Sequence, residues 1–222
     1  MRGSIKGPEP EVLAAWLVEN NNGEGVSWGG FHVKAAVADE LFKEQFGLCV
    51  YCGRSLKRGY DNMGRPVSHI EHFRPQAKYE QLRFAYGNLF LSCGESYVDG
   101  EQPSSWICGK AKHDWFDEAF HVYPDQVGCS STFVHRPDGF VAMRGENPSA
   151  AAMIAVLNLN DPQLRAIRSA LCTGIEQEIA TAYAAGEGDY ILDDLIQVWS
   201  GVDAEGRMKS FSHVACEYLA GL

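Results

Sequence analysis

The chain has no apolar run of about 18 residues, the minimum for a membrane-spanning helix, and no charged-then-apolar leader at Met1. Neither a membrane span nor a secretory signal is expected, so the reading is a cytoplasmic protein. Internal repeats and low-complexity tracts are missing as well, which excludes a repeat array. Positive charge is scarce: a formal net charge of -10 over 222 residues excludes a protein that coats nucleic acid with its whole surface. The metalloprotease pattern H-E-x-x-H does not occur. A zinc deaminase shares the H-x-E of "HIE", but its P-C-x-x-C should follow the histidine, whereas here the close cysteine pair precedes it.

What is present suffices for one sizeable domain or two small ones, with 45% hydrophobic residues to fill a core without disulfides. Charge is unevenly spread. From Lys43 to Arg83 there are eight Lys or Arg against four acids, whereas Glu146 to Leu222 carries four basic and eleven acidic residues. A basic centre that includes Arg54, Lys57, Arg58, Arg65, Arg74, Lys78 and Arg83 can bind a polyanion locally while the acidic flank faces solvent or a partner protein.

Turn-rich loops are expected from Glu19 to Gly30 and from Gly94 to Trp106. Helical spacing marks Pro10 to Val18 and Val33 to Phe46, the second stopped by Gly47. Pro66 to Phe73 and Leu89 to Leu91 read as strands, and Lys112 to Ala119 reads as a short helix. "STFVHRPDGFVAM" reads as a hairpin turning at Pro137, Asp138 and Gly139. Asn147 before Pro148 and Asp161 before Pro162 are N-caps, and three or four helices follow. The predicted fold class is therefore α+β, divided at 1–46, 47–125 and 126–222.

Seven cysteines is an odd number, and Cys49-Val-Tyr-Cys52-Gly53 has the form of a knuckle. In a reducing compartment such a pair favours zinc, which wants two further ligands; Cys93 and Cys108, each beside a glycine (Gly94, Gly109), are the available ones. A redox pair and simple buried thiols are the alternatives. Cys129, Cys172 and Cys216 read as packing residues.

"SHIEHFRP", Ser68 to Pro75, gathers two imidazoles and a carboxylate where a buried strand would have branched apolar residues. If zinc joins the four cysteines, the strand carrying His69, Glu71 and His72 pairs with Asn88 to Leu91, and the stretch after Cys108 packs beside them as a helix. A regular strand puts His69 and Glu71 on one face and His72 on the other, so Glu71 and His72 converge only if the strand ends or bulges there, which Pro75 favours. Otherwise His69 and Glu71 form the pair and His72 is structural.

This strand, strand and helix resemble the ββα-metal core of the HNH endonucleases. The likeness is closest to the HNH nucleases of retron and Septu anti-phage systems, through "IKGPEP", "LCVYCGR", "HIEHFRPQAKY", "YGNLFLSC", "CGKAKHDWF" and "VLNLNDPQLRAIR" in the same order. The resemblance implies a zinc-supported core with N-terminal helices and a C-terminal helical bundle. It also implies hydrolysis of DNA, with RNA as the other substrate class, and an SMC/ABC-like partner ATPase. His72 would be the general base, Glu71 a ligand of Mg2+ or Mn2+, and Asn88 the residue whose amide orients the base. Many family members have His or Asn after the last cysteine; Gly109 stands there, so His113 or Asp114 must complete the ion's ligands, with His69 as a further candidate. Arg74, Lys78 and Lys112 are the expected phosphate contacts. The rival expectation is a zinc-stabilised interaction subunit without turnover.

Overall fold

A computed structural model of the chain describes residues 1–57, 59, 67–93 and 106–222. Arg58, Arg65, Pro66 and most of the Gly94 to Trp106 loop lie outside the described residues. The fold is α+β. Helices α1 (Glu11–Glu19) and α2 (Lys34–Glu44) precede strands β1 (Ser68–His72) and β2 (Leu89–Cys93) and a one-turn helix α3 (Cys108–Lys112). A short hairpin of β3 (Phe133–His135) and β4 (Val141–Met143) leads into α4 (Pro148–Val156), α5 (Pro162–Ala185), α6 (Ile191–Ser200) and α7 (Ser212–Leu219).

Both sheets are antiparallel pairs. In the first, His69 faces Ser92, Ile70 faces Leu91, Glu71 faces Phe90 and His72 faces Leu89. Two strands alone are marginal in water. This pair is held by what covers it: β2 is buried along its whole length, and Gln45 at the end of α2 donates to the Leu91 carbonyl and accepts from the Leu91 amide.

The main core runs from Leu13 and Trp16 of α1 and Leu41 of α2 through Phe73, Phe90 and Phe133 to Met153, Leu157, Leu164 and Val214. Around Trp16 the rings of Phe31 and Phe84 pack at 4.7 and 4.8 Å, with Trp28 beside both. Full burial of each such aromatic contributes on the order of 2–3 kcal/mol. A smaller cluster of Ile175, Leu195, Ala215 and Leu219 holds α5, α6 and α7 together.

Both predicted caps form. Asn147 accepts from the Ala150 amide, and Asp161 accepts from the amides of Gln163 and Leu164, each ahead of a proline at the first helical position. The helix expected over Lys112 to Ala119 instead occupies Cys108–Lys112. His113 takes φ 47° and ψ -126°, outside any helix, and the Lys112 ammonium bonds the His113 and Trp115 carbonyls that a longer helix would have used.

Candidate functional site

The knuckle is a tight turn: the Cys49 amide donates to the Arg54 carbonyl and the Gly53 amide to the Cys49 carbonyl. Gly53 has φ +75°, and a side chain there would meet the His213 ring at 2.3 Å, so only glycine serves. With β2 ending at Cys93 and α3 starting at Cys108, the ligand atoms of Cys49, Cys52, Cys93 and Cys108 lie within 4.8 Å of one another, and all four residues are buried. The Cys93 amide donates to Cys49 Sγ at 3.4 Å. Burial alone would raise the Cys49 thiol, but contacts from the thiols of Cys108, Cys52 and Cys93 outweigh it and hold Cys49 well below the ordinary range. Burial and that thiolate push Cys108 up. Four converging sulfurs, one already favouring its anion, fit a thiophilic metal such as zinc.

Strand β1 stays regular through His72, and its side chains divide accordingly. On one face His69 Nε2 lies 3.3 Å from Glu71 Oε2. The Lys112 ammonium is 2.9 Å from Glu71 Oε1, and the Tyr51 hydroxyl donates to the same oxygen at 3.2 Å. Burial would raise the Glu71 pKa; His69 and Lys112 outweigh it and leave the carboxyl below its usual range. Gly109 closes this face, since a Cβ there would stand 2.4 Å from Glu71 Oε2 and 2.8 Å from His69 Nε2.

On the opposite face His72 sits apart from Glu71, so the convergence of these two side chains that the resemblance implies does not form, and any base role of His72 is independent of Glu71. Its Nε2 is 2.9 Å from the Arg83 carbonyl, and its ring meets Trp28 at 4.5 Å between centroids. Burial lowers its pKa despite that bond, so the imidazole is neutral near neutral pH. A neutral ring bonded to a carbonyl through Nε2 carries its proton there, which leaves Nδ1 with a free lone pair. Asn88 secures the turn that follows: its Oδ1 accepts from the Arg74 amide at 2.8 Å and its Nδ2 donates to the carbonyls of Arg74 and Leu82.

The remaining sequence candidates scatter. His113 and Asp114 pair with each other at 3.2 Å in solvent, with 82% and 55% of their side chains exposed. Among the described residues, no group of three or more His, Cys, Asp or Glu besides the cysteine quartet comes together. Mg2+ or Mn2+ does not fit this donor set, because Lys112 and His69 already occupy the two oxygens of Glu71. Lys112 is 2% exposed and also donates to the His72 carbonyl, so it is an internal strut and not a phosphate contact. Lys78 is exposed; Arg74 is partly so, with its guanidinium over the Phe116 ring.

No family profile matches the chain, and no curated protein matches it.

Three participants were not legible beforehand. Tyr51 was hidden inside the cysteine motif, Trp28 inside a turn-rich loop, and Arg83 acts through its carbonyl, which no side-chain pattern signals. His135 and His213 form a buried pair elsewhere, 4.9 Å apart, with His135 Nδ1 2.7 Å from Glu217 Oε2.

Proposed function

We propose that this chain is an HNH-type endonuclease that hydrolyses phosphodiester bonds of DNA, with RNA as the other substrate class, and that its four cysteines hold zinc. The observation that supports this most is His72: a neutral imidazole at the end of β1, its Nε2 on a backbone carbonyl and its Nδ1 free, in a turn clamped by Asn88. In this reading Nδ1 takes the proton of a water attacking phosphorus, and the Arg83 carbonyl stabilises the imidazolium that forms. Lys78 and Arg74 bind phosphate oxygens beside it. As the water oxygen bonds phosphorus the bond to the 3' oxygen breaks, and solvent supplies the proton to that departing oxygen, leaving 5'-phosphate and 3'-hydroxyl ends. The resemblance to the defence nucleases adds a partner ATPase that restrains or delivers the nuclease, docked on the acidic helical region.

A second reading has its own support. The Glu71–Lys112 pair neutralises the carboxylate that a catalytic ion would need, as expected of a zinc-stabilised subunit that no longer turns over. Nicking of supercoiled plasmid separates the two. The nuclease reading expects nicking by the wild-type protein and its loss in a folded His72→Ala variant. The assay is run with chelator, with Mg2+ and with Mn2+, alone and with the partner; intact plasmid throughout favours the silent subunit. Deleting the helical region would not test the docking, because it supplies Met153, Leu157, Leu164 and Val214 to the core. Reversing the charges of Asp193 and Asp194, both exposed on α6, leaves that core in place, and loss of co-purification is the expected result.

A further inference from the structure

The loop from Glu19 to Gly30 reaches His72 directly through Trp28 and indirectly through Arg83. The 3-10 turn Trp28–Gly30, capped by Ser27 whose Oγ accepts from the Gly30 amide, sets the Trp28 indole against the imidazole at 75° between planes. Two residues earlier the Val26 carbonyl accepts from Arg83 Nη1 at 3.0 Å, and it is the Arg83 carbonyl that accepts the hydrogen bond from His72 Nε2. One loop therefore supports both the ring and the residue that selects its tautomer. The indole is itself braced by Phe31 and Phe84 and has the Lys34 ammonium 5.2 Å from its centroid. The loop's approach is built in: Gly23 has φ +78°, and a Cβ there would lie 2.3 Å from the Phe84 ring.

We propose that Trp28 is the positioning residue for His72: edge-to-face contact with the indole, together with the carbonyl that the same loop braces, holds the imidazole in the Nε2–H tautomer and leaves Nδ1 without a hydrogen bond. Rotating the imidazole would break the bond to Arg83 and give up the edge-to-face contact. This inference rests on His72 as the base for its kinetic consequence, but its structural half stands without turnover.

The test compares Trp28→Leu, which keeps an apolar filler against Phe31 and Phe84, with Trp28→Phe, which keeps an aromatic face. In protein with 15N-labelled histidine, at about pH 8 where the ring is neutral, the wild type and Trp28→Phe are expected to show one pyrrole-like and one pyridine-like nitrogen for His72. Trp28→Leu is expected to show averaged shifts. In the nicking assay Trp28→Leu should lower kcat by about tenfold or more with KM unchanged, as loss of orientation alone would do, and Trp28→Phe should recover it. Unaltered His72 shifts in Trp28→Leu overturn the proposal. So does the absence of a nuclear Overhauser contact between indole and imidazole in the wild type, a measurement that needs no variant to fold. If the wild type never nicks, the nuclease reading falls while the spectra still decide the role of Trp28.

Discussion

The Glu71 carboxylate and the Lys112 ammonium are both buried and 2.9 Å apart, and the His69 ring and the lysine together hold the carboxyl below its usual range against the cost of burial. Removing one partner of such a pair costs far more than removing both, because the survivor is left desolvated. Lys112→Met is therefore expected to lose about 3 kcal/mol in urea unfolding. Adding Glu71→Gln should restore most of that loss; equal losses in the single and double variants would show that the pair is not coupled. Asn88 answers to the same logic with neutral groups. It makes three hydrogen bonds to backbone from a buried position, so Asn88→Ala should cost about 2–3 kcal/mol. A stability change below about 0.5 kcal/mol, within the range of a surface substitution, would deny it the clamp role.

Single elements matter through where they stop. Helix α3 is too short to be stable alone, and its bounds are set by partners: the cysteine site at Cys108 and the carbonyls gathered by Lys112 at its other end. Helix α5 begins under local instruction instead, since the buried Asp161, just ahead of Pro162, accepts from the orphan amides of Gln163 and Leu164. Asp161→Ala should destabilise by about 1–2 kcal/mol in thermal or chemical unfolding, and Asp161→Asn by much less, because the amide oxygen can still accept. The loop carrying Trp28 is the third case. Gly23→Ala forces both a strained φ and a collision with Phe84, so it should lower stability by more than about 1 kcal/mol and disturb the His72 resonances with it.

For the molecule as a whole, the cysteine quartet joins a knuckle after α2, the end of β2 and the start of α3, and α7 packs on the knuckle through Phe211, whose amide donates to the Gly53 carbonyl. We expect one zinc ion per chain by elemental analysis. Cys108→Ser should reduce that content and lower the melting temperature of the entire body and not of one lobe, since the core is shared. Acid should act on the other side of the knuckle. Burial lowers His135 to about 4 and also lowers His213 and His72, so between about pH 6.5 and 4 the unfolded chain takes up protons that the folded one refuses. Stability is full above that window and falls as pH drops through it, by up to about 1.4 kcal/mol per pH unit for each imidazole. A flat unfolding free energy from pH 7 to 5 would contradict the buried state of this pair.

Much of this is legible in the sequence, and the parts that are share one property: their cause lies within a few residues. The caps at Asn147 and Asp161, the hairpin turn at Pro137 to Gly139, the helix stop at Gly47 and the alternation along "SHIEHF" are each dictated by local geometry. So is the separation of His69 and Glu71 from His72, which follows from the two-residue period of a strand once the strand is known to run unbroken. The chain alone could not tell whether it does; pairing with Leu89 to Cys93 keeps it regular to His72. Nor could it reveal that Lys112 turns inward, that His113 and Asp114 face solvent, or that a tryptophan some forty positions upstream leans on the candidate base. Those outcomes depend on which distant groups arrive within 3 to 5 Å, and long-range packing sets that without leaving a spacing in the primary structure.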